Sequence, residues 1–226
     1  SYLLPLKMSE TSQEGFDLDE NVCFLKVENP KYGTLDCDRS KWEVVFCNSD
    51  EKNAVSEPNG DKGGVGCLFD DDINSYWHAN WSGGTNNDDQ FPQLFQGGRE
   101  MPITIVVDMK ESLIVHSIGW TQRQNSDYQD TKKVEYYVSD DEQFKLGGKE
   151  DYSPVALNNW TFVMERSYQK GYNATQWQTQ SEEVLQKKVK GHLLKVKIVE
   201  GYRDRLASGA ELYVKQLLAI DGEPIK

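Results

Sequence analysis

The chain has 226 residues, 37% of them hydrophobic and 27% charged, and a formal net charge of −12. That is enough chain for one large domain with a core of its own, and no apolar run approaches the roughly 20 residues of a membrane span. An acid excess of this size repels phosphate backbones and anionic headgroups, which sets nucleic acid aside as a partner and argues against direct insertion into a membrane.

In chain order, residues 1–37 read apart from the rest. The runs Ser1–Met8 and Val22–Val27 look like strands, either a β extension or the tail of an upstream β-sandwich domain, with the main domain over 38–226. Cys23, Cys37, Cys47 and Cys67 lack the paired spacing of a zinc site. Disulfides and buried free thiols both fit them, and spacing does not choose among the pairings.

The segment Cys67–Trp81 carries the most chemistry. It gathers Asp70, Asp71, Asp72, the Ser75 hydroxyl, Trp77, His78 and Trp81. Carboxylates and a hydroxyl so spaced are hard oxygen ligands suited to a calcium loop, and are equally at home as turn residues. His78-x-x-Trp81 sets a hydrogen-bonding tip beside a flat apolar face, the two surfaces that complement a sugar ring. Trp77, next to a strand end, is expected in the core. Trp81 lies in the polar stretch Asn80–Asp89 and is expected to be exposed.

Beyond this loop the pattern is period two. Met101, Ile103, Ile105, Val107 and Met109 fall on one face of an extended segment, as do Val134, Tyr136 and Val138, and Leu194, Val196 and Ile198. Leu113–Trp120, Trp160–Met164 and Leu212–Leu218 are further strands, rich in β-branched and aromatic residues. Turn signals such as Pro58-Asn-Gly60, Ser82-Gly-Gly84 and Gly147-Gly148 punctuate them, and only Ser181–Lys190 hints at a helical turn. The pattern predicts an all-β sandwich or jelly roll. No nucleophile elbow, metalloprotease helix, phosphate loop or dinucleotide fingerprint is present, so no catalysis is expected. A carboxylate pair for glycoside hydrolysis would need only spatial proximity.

Six landmarks follow in order: Leu68-Phe-Asp-Asp-Asp-Ile-Asn-Ser-Tyr-Trp77, Ile105-Val-Val-Asp-Met109, Gly119-Trp-Thr-Gln-Arg123, Val134-Glu-Tyr-Tyr-Val-Ser-Asp-Asp141, Asn159-Trp-Thr-Phe-Val163 and Ala210-Glu-Leu-Tyr-Val214. In these the chain from about Ser40 onward resembles the coagulation factor V/VIII type C, or discoidin, domain. Its bacterial branch, carbohydrate-binding module family 32, is the closer likeness. The resemblance implies a discoidin-like, galactose-binding-domain-like jelly-roll β-sandwich with its ligand loops at one end. It implies non-catalytic binding of a glycan or terminal monosaccharide by a secreted or cell-surface bacterial protein. The precursor would be anchored in the outer membrane, beside other domains of a surface glycan-utilisation assembly. Alternatives within the fold are a protein or phospholipid adhesion module and an accessory domain of a glycoside hydrolase.

The resemblance also assigns residues. Asp70, Asp72, Ser75 and Glu211 would hold a structural calcium ion that ties the loop bearing His78 to the C-terminal strand. Trp81 would stack on a pyranose face, with His78 and Arg123 supplying directional hydrogen bonds. Asn125 and Asp130 lie in the Arg123 loop, and Tyr202 lies where relatives place an aromatic that closes the site. Two departures stand out: Asp70-Asp71-Asp72 replaces the family's usual Asp-Gly-Asp, and Asp130 stands where sugar-binding relatives carry asparagine.

Overall fold

The period-two runs form the strands they predict. The computed structural model describes residues 2–3, 26–27, 31–51, 64–81, 101–141 and 159–225. In the N-terminal segment, β1 (Tyr2–Leu3) pairs antiparallel with β2 (Lys26–Val27). Cys23, the turn signals at 58–60, 82–84 and 147–148, and most of the stretch 80–89 lie outside the described residues.

The main strands are β3 (Tyr32–Asp36), β4 (Glu43–Cys47), β5 (Trp77–His78), β6 (Ile103–Thr121), β7 (Thr131–Ser139), β8 (Thr161–Ser167), β9 (Gln176–Thr179), β10 (Lys190–Gly201), β11 (Ser208–Gly209), β12 (Glu211–Ile220) and β13 (Glu223–Pro224). They curl into an antiparallel β-sandwich. One layer runs β4-β6-β10-β7-β8, and the other runs β3-β12-β6-β9 with β13 folded back on the end of β12. The expected boundary near residue 37 falls just after β3, so the sheet reaches back to Tyr32.

β6 belongs to both layers. The strands expected at 101–109 and 113–120 are one continuous strand, bent at Lys110, whose φ is 66°. The Lys110 amide donates to Asp108 Oδ1 at 2.8 Å, and the register against β10 slips between Gly191 and Leu193. The bend turns the first half of β6 toward β4 and the second half toward β12 and β9.

Between the layers lie Trp77, Ile105, Trp120, Tyr136, Leu194 and Ile198, all fully buried. Alternation understates burial in the centre of the sheet, because Thr104 and Val106 on the opposite face are buried too. Lys195, on the face opposite Leu194 and Val196, lays its ammonium over the rings of Tyr137 and Trp160, 4.2 and 4.6 Å from their centroids. Burial lowers its pKa to about 8. The helical turn is α1 (Glu182–Gln186), capped by the Ser181 hydroxyl and docked by Leu185 against Ile114 and Leu217. Among the described residues Cys37 and Cys47 carry free thiols.

Candidate functional site

The site begins with a two-residue strand. β5 pairs with β11, His78 opposite Ser208 and Trp77 opposite Gly209, and Ala79 continues the ladder by donating to the Ala207 carbonyl at 2.8 Å. Successive residues of a strand face opposite ways. Trp77 therefore turns into the core, where its indole N–H donates to the Ser49 carbonyl at 3.1 Å, while Tyr76 and His78 share the other face with ring centroids 4.9 Å apart. Gly209 lets Trp120 sit against this ladder, since a Cβ there would lie 2.3 Å from its ring.

Arg123 reaches the same face from the loop after β6. Nη1 donates to His78 Nε2 at 2.7 Å, Nη2 to the Tyr76 hydroxyl at 3.0 Å, and Nε to Asn125 Oδ1, with the guanidinium carbon 3.9 Å from the Tyr76 ring centroid. A guanidinium only donates, so His78 Nε2 is an acceptor. The imidazole proton then sits on Nδ1 and is donated to Gln129 Oε1 at 2.8 Å. Burial, reinforced by the positive charge of Arg123, lowers the His78 pKa to about 4. His78 is 2% exposed with both ring nitrogens engaged by protein. It is placed to orient Arg123 rather than to meet a ligand first. Arg123 keeps one uncommitted hydrogen on each Nη.

Two further segments complete this end of the sandwich. Asp130 is fully buried: its backbone bridges to Ser208, its carbonyl accepts from Tyr202 N–H at 2.9 Å, and Oδ2 accepts from Gly171 N–H at 2.6 Å. Oδ1 has no partner, and burial raises the carboxyl pKa. Asp130 is thus a buried tie between loops, out of a ligand's reach. Tyr202 is 39% exposed and its hydroxyl donates to the Tyr168 carbonyl at 2.8 Å. Trp81 is partly exposed, held by its backbone N–H on Glu51 Oε2 at 2.7 Å, and lines a cavity of about 210 Å³ with Arg203, Asp204, Arg205 and Leu206. Arg203 lies 3.5 Å over the ring of Tyr128, itself 51% exposed.

No protein-family model and no curated protein matches the chain. Solved structures do. The C-terminal domain of a chitobiase from Bacteroides fragilis superposes with a TM-score of 0.57 at 18% identity, covering 82% of this chain and 100% of that one. The family 32 carbohydrate-binding module of Clostridium perfringens NanJ, solved in complex with galactose, gives 0.54 at 18% identity, covering 81% and 99%. The module CpGH89CBM32-5 of the same organism, solved with GalNAc-β-1,3-galactose, gives 0.56 at 16% identity, covering 80% and 99%. The fold is that of a family 32 carbohydrate-binding module.

In this carbohydrate-binding-module fold the turn that leads into the acidic loop lies against β12, and the side chains of the loop are already engaged. Asp70 accepts from the Asp72 N–H at 2.9 Å and from Ser75 Oγ at 2.7 Å, and Asp72 accepts from Asn74. Glu211 is fully buried and its Oε2 accepts from Arg39 Nη1. Among the described residues no group of three or more carboxylate, imidazole or thiol side chains is placed to hold one metal ion. Calcium takes six to eight oxygens at about 2.3–2.6 Å, and as arranged Asp70, Asp72, Ser75 and Glu211 do not fit it.

Sequence reasoning missed Tyr76, Gln129, Tyr128, Arg203 and Arg39. Tyr76 was signalled by the same period-two rule that separates Trp77 from its neighbours. Gln129 and Arg39 carried no local signal, since their partners lie 51 and 172 residues away.

Proposed function

We propose that the chain is a non-catalytic glycan-binding module on a secreted or cell-surface protein, working beside other domains that capture or process glycans. The observation that carries this reading is the Arg123 cluster. His78, Tyr76 and Asn125 fix the guanidinium so that its two remaining N–H groups are pre-aimed, and such a fork suits vicinal hydroxyls. Pre-organisation lowers the entropy lost on binding. Trp81 supplies an aromatic face for the C–H side of a sugar ring, with Arg203 lining the same cavity and lying over the exposed ring of Tyr128. The two Clostridium perfringens modules of this fold were solved with sugars bound, which supports the same ligand class here.

Binding by one shallow site is weak and gains from several copies acting together. A glycan array on the purified chain tests the reading, followed by titration of the best ligand against Trp81→Ala and Arg123→Ala. Binding lost in both variants is the expected result. Binding to no glycan, or binding indifferent to both substitutions, defeats the proposal, and turnover of an oligosaccharide replaces it with the hydrolase reading.

A further inference from the structure

We infer that Arg39 is the permanent cation of the acidic loop, and that the loop is braced against β12 without a metal ion. The inference concerns the scaffold, so it stands independently of which ligand the site takes. Arg39 opens the short 3-10 turn Arg39–Lys41, fixed by the Asp38 carboxylate accepting from Ser40 N–H at 3.0 Å. Its side chain enters the space between loop and strand and is 5% exposed. Nη1 donates to the Leu68 carbonyl at 3.2 Å, the Leu212 carbonyl at 3.0 Å and Glu211 Oε2, while Nη2 donates to Asp71 Oδ1. The guanidinium carbon lies 4.1 Å from the Tyr213 ring centroid.

This is the work a bridging cation does. Two backbone carbonyls and two carboxylates, drawn from the loop and from β12, converge on one positive group. A guanidinium cannot lose its charge in the working pH range, and Glu211 and Asp71 raise the Arg39 pKa further, outweighing the burial that would lower it. A divalent ion bound to the same carboxylates would stand beside a buried positive charge it could not neutralise. Glu211 Oε1 stays buried with no partner, while Oε2 is held by Arg39 Nη1. The brace holds the segment from Ser75 to Trp81, and with it Tyr76 and His78.

Thermal unfolding of the purified chain in EDTA and in millimolar calcium, paired with calorimetric titration of calcium into the metal-stripped chain, tests the inference. The expected result is one melting temperature in both buffers and no heat of binding. Arg39→Met, which keeps the length and removes the charge, is expected to melt several degrees lower. A wild-type melting temperature that falls in EDTA and recovers with calcium overturns the inference, as does an Arg39→Met chain that melts like wild type. Should Arg39→Met fail to fold, Asp71→Asn serves instead: its side chain is 76% exposed, so the chain should fold, with a lower melting temperature if the pair braces the loop and an unchanged one if it does not.

Discussion

Nη1 of Arg123 donates to Nε2 of His78 across 2.7 Å, and the other imidazole nitrogen is held by Gln129. A histidine so enclosed fixes the direction of the arginine and has no proton to gain without breaking that bond. The relationship makes the site sensitive to acid.

The pH dependence has a definite sign. In the folded chain the His78 pKa is lowered from 6.5 to about 4, so between those values the unfolded chain binds more protons. Stability from this group is present above about 6.5 and lost as pH falls toward 4, about 3 kcal/mol in all. Glu211 acts the other way in an overlapping window: burial raises its pKa from 4.5 to about 7, so its contribution is present below 4.5 and lost as pH rises to 7. The wild-type curve is therefore flattened. His78→Gln removes only the first effect, and the difference in denaturation free energy between the two proteins should shift in favour of the variant as pH drops from 6.5 to 4. A constant difference across that range refutes the assignment.

Arg123→Ala leaves His78 Nε2 buried without its donor and should cost about 1–3 kcal/mol in stability. It should also raise the His78 pKa, because the Arg123 charge adds to burial in lowering it. An NMR titration of the imidazole in the variant reads this directly, and an unmoved pKa contradicts it.

The two neighbouring tryptophans should behave oppositely. Trp77 is fully buried, so Trp77→Ala should destabilise by about 3–5 kcal/mol. Trp81 is only partly buried, so Trp81→Ala should keep most of its stability, within about 1 kcal/mol, and lose glycan binding. Chemical denaturation and ligand titration on both variants separate the roles.

Asp130→Asn should leave glycan affinity unchanged within about twofold, because the side chain is fully buried. The amide oxygen keeps the bond from Gly171 N–H and the buried charge is gone, so stability near neutral pH should hold or rise. An affinity change with intact stability would place Asp130 at the ligand after all.

How much of this was legible depends on how far apart the partners lie. The strands around Val134–Val138 and Leu194–Ile198, and the contrast between Trp77 and Trp81, follow from local alternation and loop composition. β6 read as two strands because its continuity depends on the positive φ of Lys110, which no pattern announces. Asp130 read as a ligand candidate because it sits in the polar loop after Arg123; it is fully buried and tied to Ser208 and Gly171, distant in sequence. His78 read as a ligand contact because nothing near it foretold that Gln129 and Arg123 would take both its nitrogens. The acidic loop read as a metal site because its natural counter-charge, Arg39, enters from a different part of the chain.

β12 also sets how the site is presented. Its ten residues span about 30 Å at roughly 3.3 Å each. Glu211, at one end, follows closely on Ser208, the partner of His78. At the other end Lys31 and Asp221 are bonded to each other, the Lys31 N–H to the Asp221 carboxylate at 2.8 Å and the Asp221 N–H to the Lys31 carbonyl at 2.7 Å. The start of β3 and the end of β12 thus lie side by side, at the end of β12 away from Ser208 and His78.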